Sequence, residues 1–211
     1  AVDMSGQREA DPTRMSGGQQ QRVAIAGMLA MNPEILVLDE PTAMLDPQGR
    51  ADIMHILDEL QQYGTTIILV THHRDEFVNA DRIIRLDNGR IVQSARGNTA
   101  SIPEMDESGT AQEDNPIAKS NIANGASKPT SAVPIIEIHN LIYQYPNSSK
   151  PVLDKLSITI NKGETVAITG HNGAGKTTLA RLLCALDQPQ SGNITINTIP
   201  VARQRTNGNM Q

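Results

Sequence analysis

Tryptophan is absent from the sequence, phenylalanine occurs once, as Phe77, and tyrosine three times in 211 residues. Single-stranded nucleic acid is held on successive aromatic faces, and so few rings cannot build that platform. Positive charge is also short: 18 Lys and Arg stand against 23 Asp and Glu, a net charge of −5. That balance gives no long-range pull toward nucleic acid or an anionic membrane. The one cysteine, Cys184, cannot form an internal disulfide, and its apolar helical setting predicts a buried structural thiol in a reducing compartment. No apolar run approaches the ~18–20 residues that span a bilayer, and no charged-then-apolar leader precedes Met15. A membrane role is therefore expected to come through a partner. "AVDMSGQREA" opens without an initiator Met and "TNGNMQ" follows a strand-like segment, so both ends are expected to be cuts.

Two ordered pieces are expected on either side of a polar stretch. In the first, Gln19 to Met31 reads as a helix with Val23, Ala26, Gly27 and Ala30 at three-to-four spacing, stopped by Pro33. "EILVLDE" reads as a strand buried on both faces, because its apolar residues run together without alternation. The pattern Ile53, Ile56, Leu57, Leu60 marks an amphipathic helix between Pro47 and Tyr63, and "TTIILVTHH" supplies a second buried strand. Strand, helix, strand at this spacing implies a right-handed parallel crossover. "DRIIRLDNGRIVQ" reads as a β-hairpin turning at Asn88-Gly89. From about residue 97 to residue 134 large apolar residues are scarce, which predicts a flexible linker reaching roughly 30–37 Å. The second piece, residues 135–211, carries strands in "IIEIHNLIYQYP" and "LDKLSITINKGETVAITG", a helix from Thr177 to Ala185, and a strand in "GNITIN".

"GHNGAGKTT" fits G-x-x-x-x-G-K-[ST] and lies between a strand and a helix, the context that makes this pattern specific. Gly170, Gly173 and Gly175 let the backbone amides of the loop, with Asn172 and Ala174 among them, wrap a polyphosphate at the helix start. Lys176 would neutralise the β- and γ-phosphates, Thr177 would offer its hydroxyl to Mg²⁺, and Thr178 continues the motif. His171 holds a variable position and is expected to face solvent. "LVLDEPT" ends a strand in two acids. Asp39 could order the Mg²⁺ shell through water and Glu40 could polarise an attacking water, although alone the pair also reads as a solvated strand end. His72 ends the next strand, where an imidazole could bridge water and phosphate or simply be a hydrogen-bonded structural residue. His55, His73 and His139 read as structural, and Met28 and Met54 as core filler. Tyr145, before Pro146, could stack on a purine or be an edge-strand aromatic. In "MSGGQQQR", Ser16 is a good N-cap, and Gly17 and Gly18 permit close backbone approach ahead of Gln19.

Together these residues resemble the ATP-binding cassette (ABC) ATPases. "MSGGQ" (Ser16, Gly17, Gly18, Gln19) is similar to the family's signature motif, "ILVLDE" to its Walker B strand, "MLDP" with Asp46 to its D-loop, His72 to its switch histidine, and "GHNGAGKTT" to its Walker A loop. Met15 replaces the usual leucine of the signature, a volume-conserving change. The stretch from Met15 to Arg50 most resembles the energy-coupling-factor importers and the related cobalt and nickel uptake systems. The resemblance covers both ordered pieces and implies an α/β fold of P-loop NTPase type, a parallel core sheet with helices plus antiparallel β elements. It implies ATP and Mg²⁺ as cofactors, Glu40 and His72 as catalytic residues, and residues 170–178 with Tyr145 as the ATP-binding set. It also implies a second cassette, in the same parent chain or a paralogue, and integral membrane subunits as partners, with no nucleic acid. The place of work would be the cytoplasmic face of the cell membrane, peripherally bound.

In that family Walker A precedes the signature, whereas here the order is reversed. The reading this favours is a window cut from a tandem protein: residues 1–96 as the C-terminal half of a first cassette, 97–134 as linker, and 135–211 as the N-terminal part of a second. Asp39, Glu40 and His72 would then serve a different nucleotide from the one held by residues 170–178, with Ser16 to Gln19 facing the latter. A circularly permuted single cassette is the alternative, both halves folding onto one sheet. The implied function is ATP hydrolysis powering uptake of a vitamin or metal ion. Its rivals are a soluble tandem ATPase acting on ribosomes or DNA, whose ribosome-associated members carry "EPTNHLD" where this chain has "EPTAMLD", and a non-catalytic nucleotide-binding regulator.

Overall fold

Three short runs rich in branched aliphatic residues set the centre of the structure, a computed structural model that describes residues 17–96 and 133–201. They are β1 (Ile35–Asp39), β2 (Thr66–Val70) and β7 (Thr165–Thr169), all parallel, with β7 pairing β2 on one side and β3 (Arg82–Asp87) on the other. The sheet closes with β4 (Arg90–Arg96), antiparallel to β3, giving the order β1-β2-β7-β3-β4. A strand from the second piece of the chain therefore sits in the middle of a sheet otherwise built by the first. The two pieces expected to belong to separate cassettes share one core here.

Position in the sheet explains burial. β2 is buried at every residue because it has a neighbour on each side and layers on both faces. β1 was expected to be buried on both faces, but it is the edge strand: only Leu36 and Leu38 are fully buried, while Ile35 and Val37 are half-buried on the opposite face. On one face α1 (Gly17–Ala30) and α2 (Pro47–Gln62) pack, with Ile25, Ile53, Ile56 and Leu57 meeting Leu36, Leu38, Ile67 and Leu69. The stripe of α1 that turns inward is Ile25, Met28 and Leu29, not the expected Val23, Ala26, Gly27 and Ala30; Val23 is exposed. Both stripes have helical spacing, and the larger side chains take the core because they remove more apolar surface from water. The α2 start is fixed by Asp46, whose side chain accepts a hydrogen bond from the Gly49 amide at 2.9 Å, with Pro47 at the first helical position.

The other face of the sheet meets α3 (Lys176–Leu183) and a second, antiparallel sheet in the order β6-β5-β8-β9. Its strands are β5 (Pro134–Tyr143), β6 (Leu153–Asn161), β8 (Ser191–Ile196) and β9 (Ile199–Pro200). Ile136, Ile138, Leu141 and Leu156 from this sheet join Ile68, Val70, Ile84 and Leu179 in one apolar cluster. The linker expected over 97–134 lies outside the described residues apart from its last two, and Pro134 already begins β5. Cys184, expected to be buried, is the exposed C-cap residue of α3, and partial desolvation still pushes its thiol up from the ordinary range.

Polar ties between the pieces sit at the sheet's lower end. The Asp81 amide donates to Thr165 O (2.9 Å), and the Thr165 amide donates to Asp81 Oδ2 (2.8 Å). Arg82 Nε lies 3.0 Å from Glu164 Oε1, with both side chains mostly buried, and its guanidinium also donates to Thr159 O at 2.6 Å. Burial lowers the Arg82 pKa and the Glu164 charge opposes that shift. Removing one member of such a pair leaves a desolvated charge, so Glu164→Ala should destabilise the chain by about 3 kcal/mol. Urea unfolding would show this as a lower midpoint at unchanged slope, and an unchanged midpoint would mean the pieces do not hold each other as described.

Candidate functional site

Because β1, β2 and β7 are parallel, their C-terminal ends lie along one edge of the sheet, the edge at which open α/β sheets place ligands. Asp39 is the last residue of β1, Glu40 follows it, His72 lies just past β2, and Gly170 follows β7 directly. The sheet thus brings together the acids and histidine of the first piece and the phosphate-type loop of the second, which the order of motifs had assigned to different nucleotides.

The loop is shaped by close backbone approach. Gly170 has φ of 147°, and a Cβ there would lie 2.4 Å from Leu86 O. Gly175, the α3 N-cap, has φ of 102°, and a Cβ would meet Leu153 Cδ2 at 2.7 Å and Val152 O at 2.9 Å. Any larger residue at either place would have to move a neighbouring strand. Lys176 is 7% exposed, and its ammonium donates to Gly170 O (2.8 Å) and His171 O (3.1 Å). Burial pulls its pKa down, while the charges of Glu40 and Asp39 push it up. A buried cation satisfied by two neutral carbonyls, at a helix start, is a fit for an anionic ligand such as a polyphosphate.

Thr177 is exposed at the first turn of α3, whereas Thr178 is buried, its Oγ1 3.1 Å from the Tyr145 hydroxyl. Tyr145 is not on an edge strand: it lies beyond the end of β5, 38% exposed, and packs edge-to-face on Tyr143 at 5.0 Å. Asn172 and Gly173 are exposed, and buried Ala174 accepts through its carbonyl from the Gly89 amide at 3.1 Å. Glu40 adopts a left-handed backbone with φ of 47°, its amide donating to Val70 O at 2.9 Å. Its carboxylate Oε1 is 3.0 Å from His72 Nδ1. Among the described residues no three His, Cys, Asp or Glu cluster as a metal centre. One carboxylate and a hydroxyl are still the protein share expected for Mg²⁺ held mainly by phosphates and water.

His171 is exposed, as expected, but it is not without partners. Its Nε2 is 2.8 Å from Asp87 Oδ1 and its Nδ1 is 2.7 Å from Asn172 O, so the ring ties the loop to the β3–β4 turn. Asp46 is seen as the α2 cap described above. Ser16 lies outside the described residues. Gly18, in the first turn of α1, sits against Met44 O and Leu45, and Gln21 Nε2 donates to Pro41 O at 2.5 Å. The reading of the sequence missed three contributors: Asp87, Gly89 and the buried Glu76, each acting through contacts from outside the motifs. Only the "DNG" turn carried a local signal, and that signal spoke of a hairpin.

The ABC transporter family model matches residues 2–43 and 153–211. An ABC transporter ATP-binding protein of Bifidobacterium longum (strain NCC 2705) is 47% identical over 225 residues, covering 96% of this chain and 29% of that protein. The energy-coupling factor transporter ATP-binding protein EcfA1 of Clostridium novyi (strain NT) is 54% identical over 92 residues, 43% of this chain and 33% of its own. A solved bacterial Atm1-family ABC exporter with ATP bound aligns at 33% identity over 36% of this chain and 14% of its own, with a TM-score of 0.31. The chain belongs to the ABC transporter family and has the α/β fold of its P-loop ATPases. It spans about a third of the length of these curated relatives.

Proposed function

We propose that this chain forms an ATP site of an ABC transporter's ATP-hydrolysing subunit. The observation that carries the reading is the shared edge: Lys176 is buried within the electrostatic reach of both Asp39 and Glu40. Residues 170–178 would cradle the phosphates through backbone amides, with Lys176 compensating their charge and Tyr145 lying beside the base. Thr177 and, through water, Asp39 would hold Mg²⁺, which when bound supplies charge neutralisation on the transferring phosphoryl group. Glu40 orients and takes a proton from water, and His72, hydrogen-bonded to Glu40, fixes the direction of its carboxylate. Asp46 shapes the segment after Glu40 by capping α2. Ser16, Gly17, Gly18 and Gln19 would face a nucleotide across a cassette dimer.

A second reading concerns the larger protein. The alignment with the Bifidobacterium longum relative runs through 96% of this chain yet takes up 29% of that protein. That span supports a parent in which residues 1–96 and 135–211 belong to consecutive cassettes and each pairs with segments outside this chain. In that setting the sheet formed here is the two pieces completing one another. Import of a vitamin or metal ion through membrane subunits is supported by the likeness to the energy-coupling factor ATPase over 92 residues. No described helix is long and apolar enough to cross a membrane, so transport would be coupled through partners on the cytoplasmic face. Affinity purification of the parent protein should recover integral membrane proteins. Recovery of ribosomes or DNA instead would favour the soluble tandem ATPases.

A further inference from the structure

Glu76 is a carboxylate with no exposed side-chain surface, in a short 3-10 turn at Arg74–Glu76 just past the His72 segment. Burying an ionised group is costly unless polar partners surround it. Three partners from three separate stretches do so. Thr42, two residues after Glu40, donates through its hydroxyl to Glu76 Oε1. Thr71, adjacent to His72, donates to Oε2 at 2.5 Å. Arg50 of α2 brings its Nε to 3.6 Å from Oε1. Thr71 is also anchored on both sides: its amide donates to Ile168 O of β7 at 3.2 Å, and its Oγ1 accepts from the His73 amide at 3.0 Å.

We infer that Glu76 is a positioning residue, which fixes the Glu40–His72 pair by clamping the segment behind Glu40 to the segment carrying His72. Glu40 and His72 come from different strand ends and are themselves half-exposed, touching each other at a single 3.0 Å contact. The His72 ring also lies against the His73 ring, with centroids 4.1 Å apart, and His73 is itself tied to Thr71 through its amide. The buried clamp one or two residues behind each of them restrains both backbones, and through them the distance between the carboxylate and the imidazole. The two ring and carboxylate atoms can then meet in water without depending on their own weak pairing, since exposed ion pairs contribute little by themselves. The charge of Glu76 also holds Arg50, and so the start of α2 that Asp46 caps. This inference rests on the Proposed function only for what the pair is used for. The clamp itself is read from geometry.

The test follows the pair without needing turnover. In the full chain, Glu40→Gln should move the His72 ring resonances in a ¹H–¹⁵N spectrum, the signals being assigned with His72→Gln. In a Glu76→Ala background that shift should be lost, and Glu76→Gln, which keeps one carbonyl acceptor in place, should restore it in part. Because Glu76→Ala could fail to fold, Thr42→Val with Thr71→Val provides an independent route and should also abolish the shift, with folding checked by circular dichroism. Mg·ATP affinity should stay within about 2-fold of wild type in Glu76→Ala, Glu76→Gln and the double-Val chain, because no phosphate-loop contact is altered. A folded Glu76→Ala or double-Val chain that keeps the full Glu40-dependent shift would overturn the inference. Failure of wild type to bind Mg·ATP would instead tell against the ATP-site reading, leaving the resonance result to decide on Glu76.

Discussion

Lys176→Ala lowers the affinity of the chain for ATP by about 100-fold or more, measured by isothermal titration with ATP in the presence of Mg²⁺. The side chain is 7% exposed and is held by two loop carbonyls. It would exchange these neutral acceptors for phosphate oxygens. A charge-assisted contact in a desolvated site is roughly twice as strong as a neutral one, and a 100-fold change corresponds to about 2.7 kcal/mol. The loss should be a binding loss, with the fold intact, because the ammonium's hydrogen bonds stay within its own loop. The direction of its pKa supports the same view. Burial depresses it, and the two acids of the first piece oppose the depression. A variant binding ATP as tightly as wild type would show that the loop is a structural turn.

Glu40→Gln should have the opposite signature: Mg·ATP binding is retained while hydrolysis falls by about 100- to 10,000-fold, the usual contribution of a positioned general base. Glutamine keeps the shape of the side chain and can still meet His72, so the Glu40 backbone at φ of 47° need not relax. What it loses is the ability to take a proton from water. Single-turnover measurement with the nucleotide preloaded separates this from any change in affinity. Equal losses in binding and turnover would place Glu40 among the ligand-holding groups instead.

Elements with one dominant signal were legible in the sequence. β2, α2 and the β3–β4 hairpin appear where apolar runs, helical periodicity and the Asn88-Gly89 turn put them, and Lys176 with its glycines follows from a motif flanked by strand and helix. What a sequence does not display is which strand lies beside which. β1 reads as a doubly buried strand because its residues are as apolar as those of β2, and only its place at the sheet edge leaves Ile35 and Val37 half-exposed. The inward face of α1 was misread for a related reason: two overlapping stripes had the right period, and packing against Leu36 and Leu38 chose the bulkier one. Cys184 was misjudged because it lies at the end of a helix shorter than its apolar pattern, and the tie of the exposed His171 to Asp87 was not visible because that partner lies in another part of the chain. The insertion of β7 between β2 and β3 was the least visible feature. It depends on edge complementarity between pieces far apart in sequence, and motif order pointed toward separating them.

That insertion is also what brings Asp39 and Lys176 to one edge of the sheet, and Asp39→Ala tests whether they share a ligand without requiring turnover. ATP affinity should be measured with Mg²⁺ and with EDTA, in wild type and variant. With Asp39 serving the nucleotide held by residues 170–178, wild type binds more tightly with Mg²⁺ than without, and Asp39→Ala loses most of that increment while binding in EDTA is unchanged. An increment that survives intact in a folded Asp39→Ala chain would mean that the acid and the lysine belong to different nucleotides, and that the shared sheet edge is not one site.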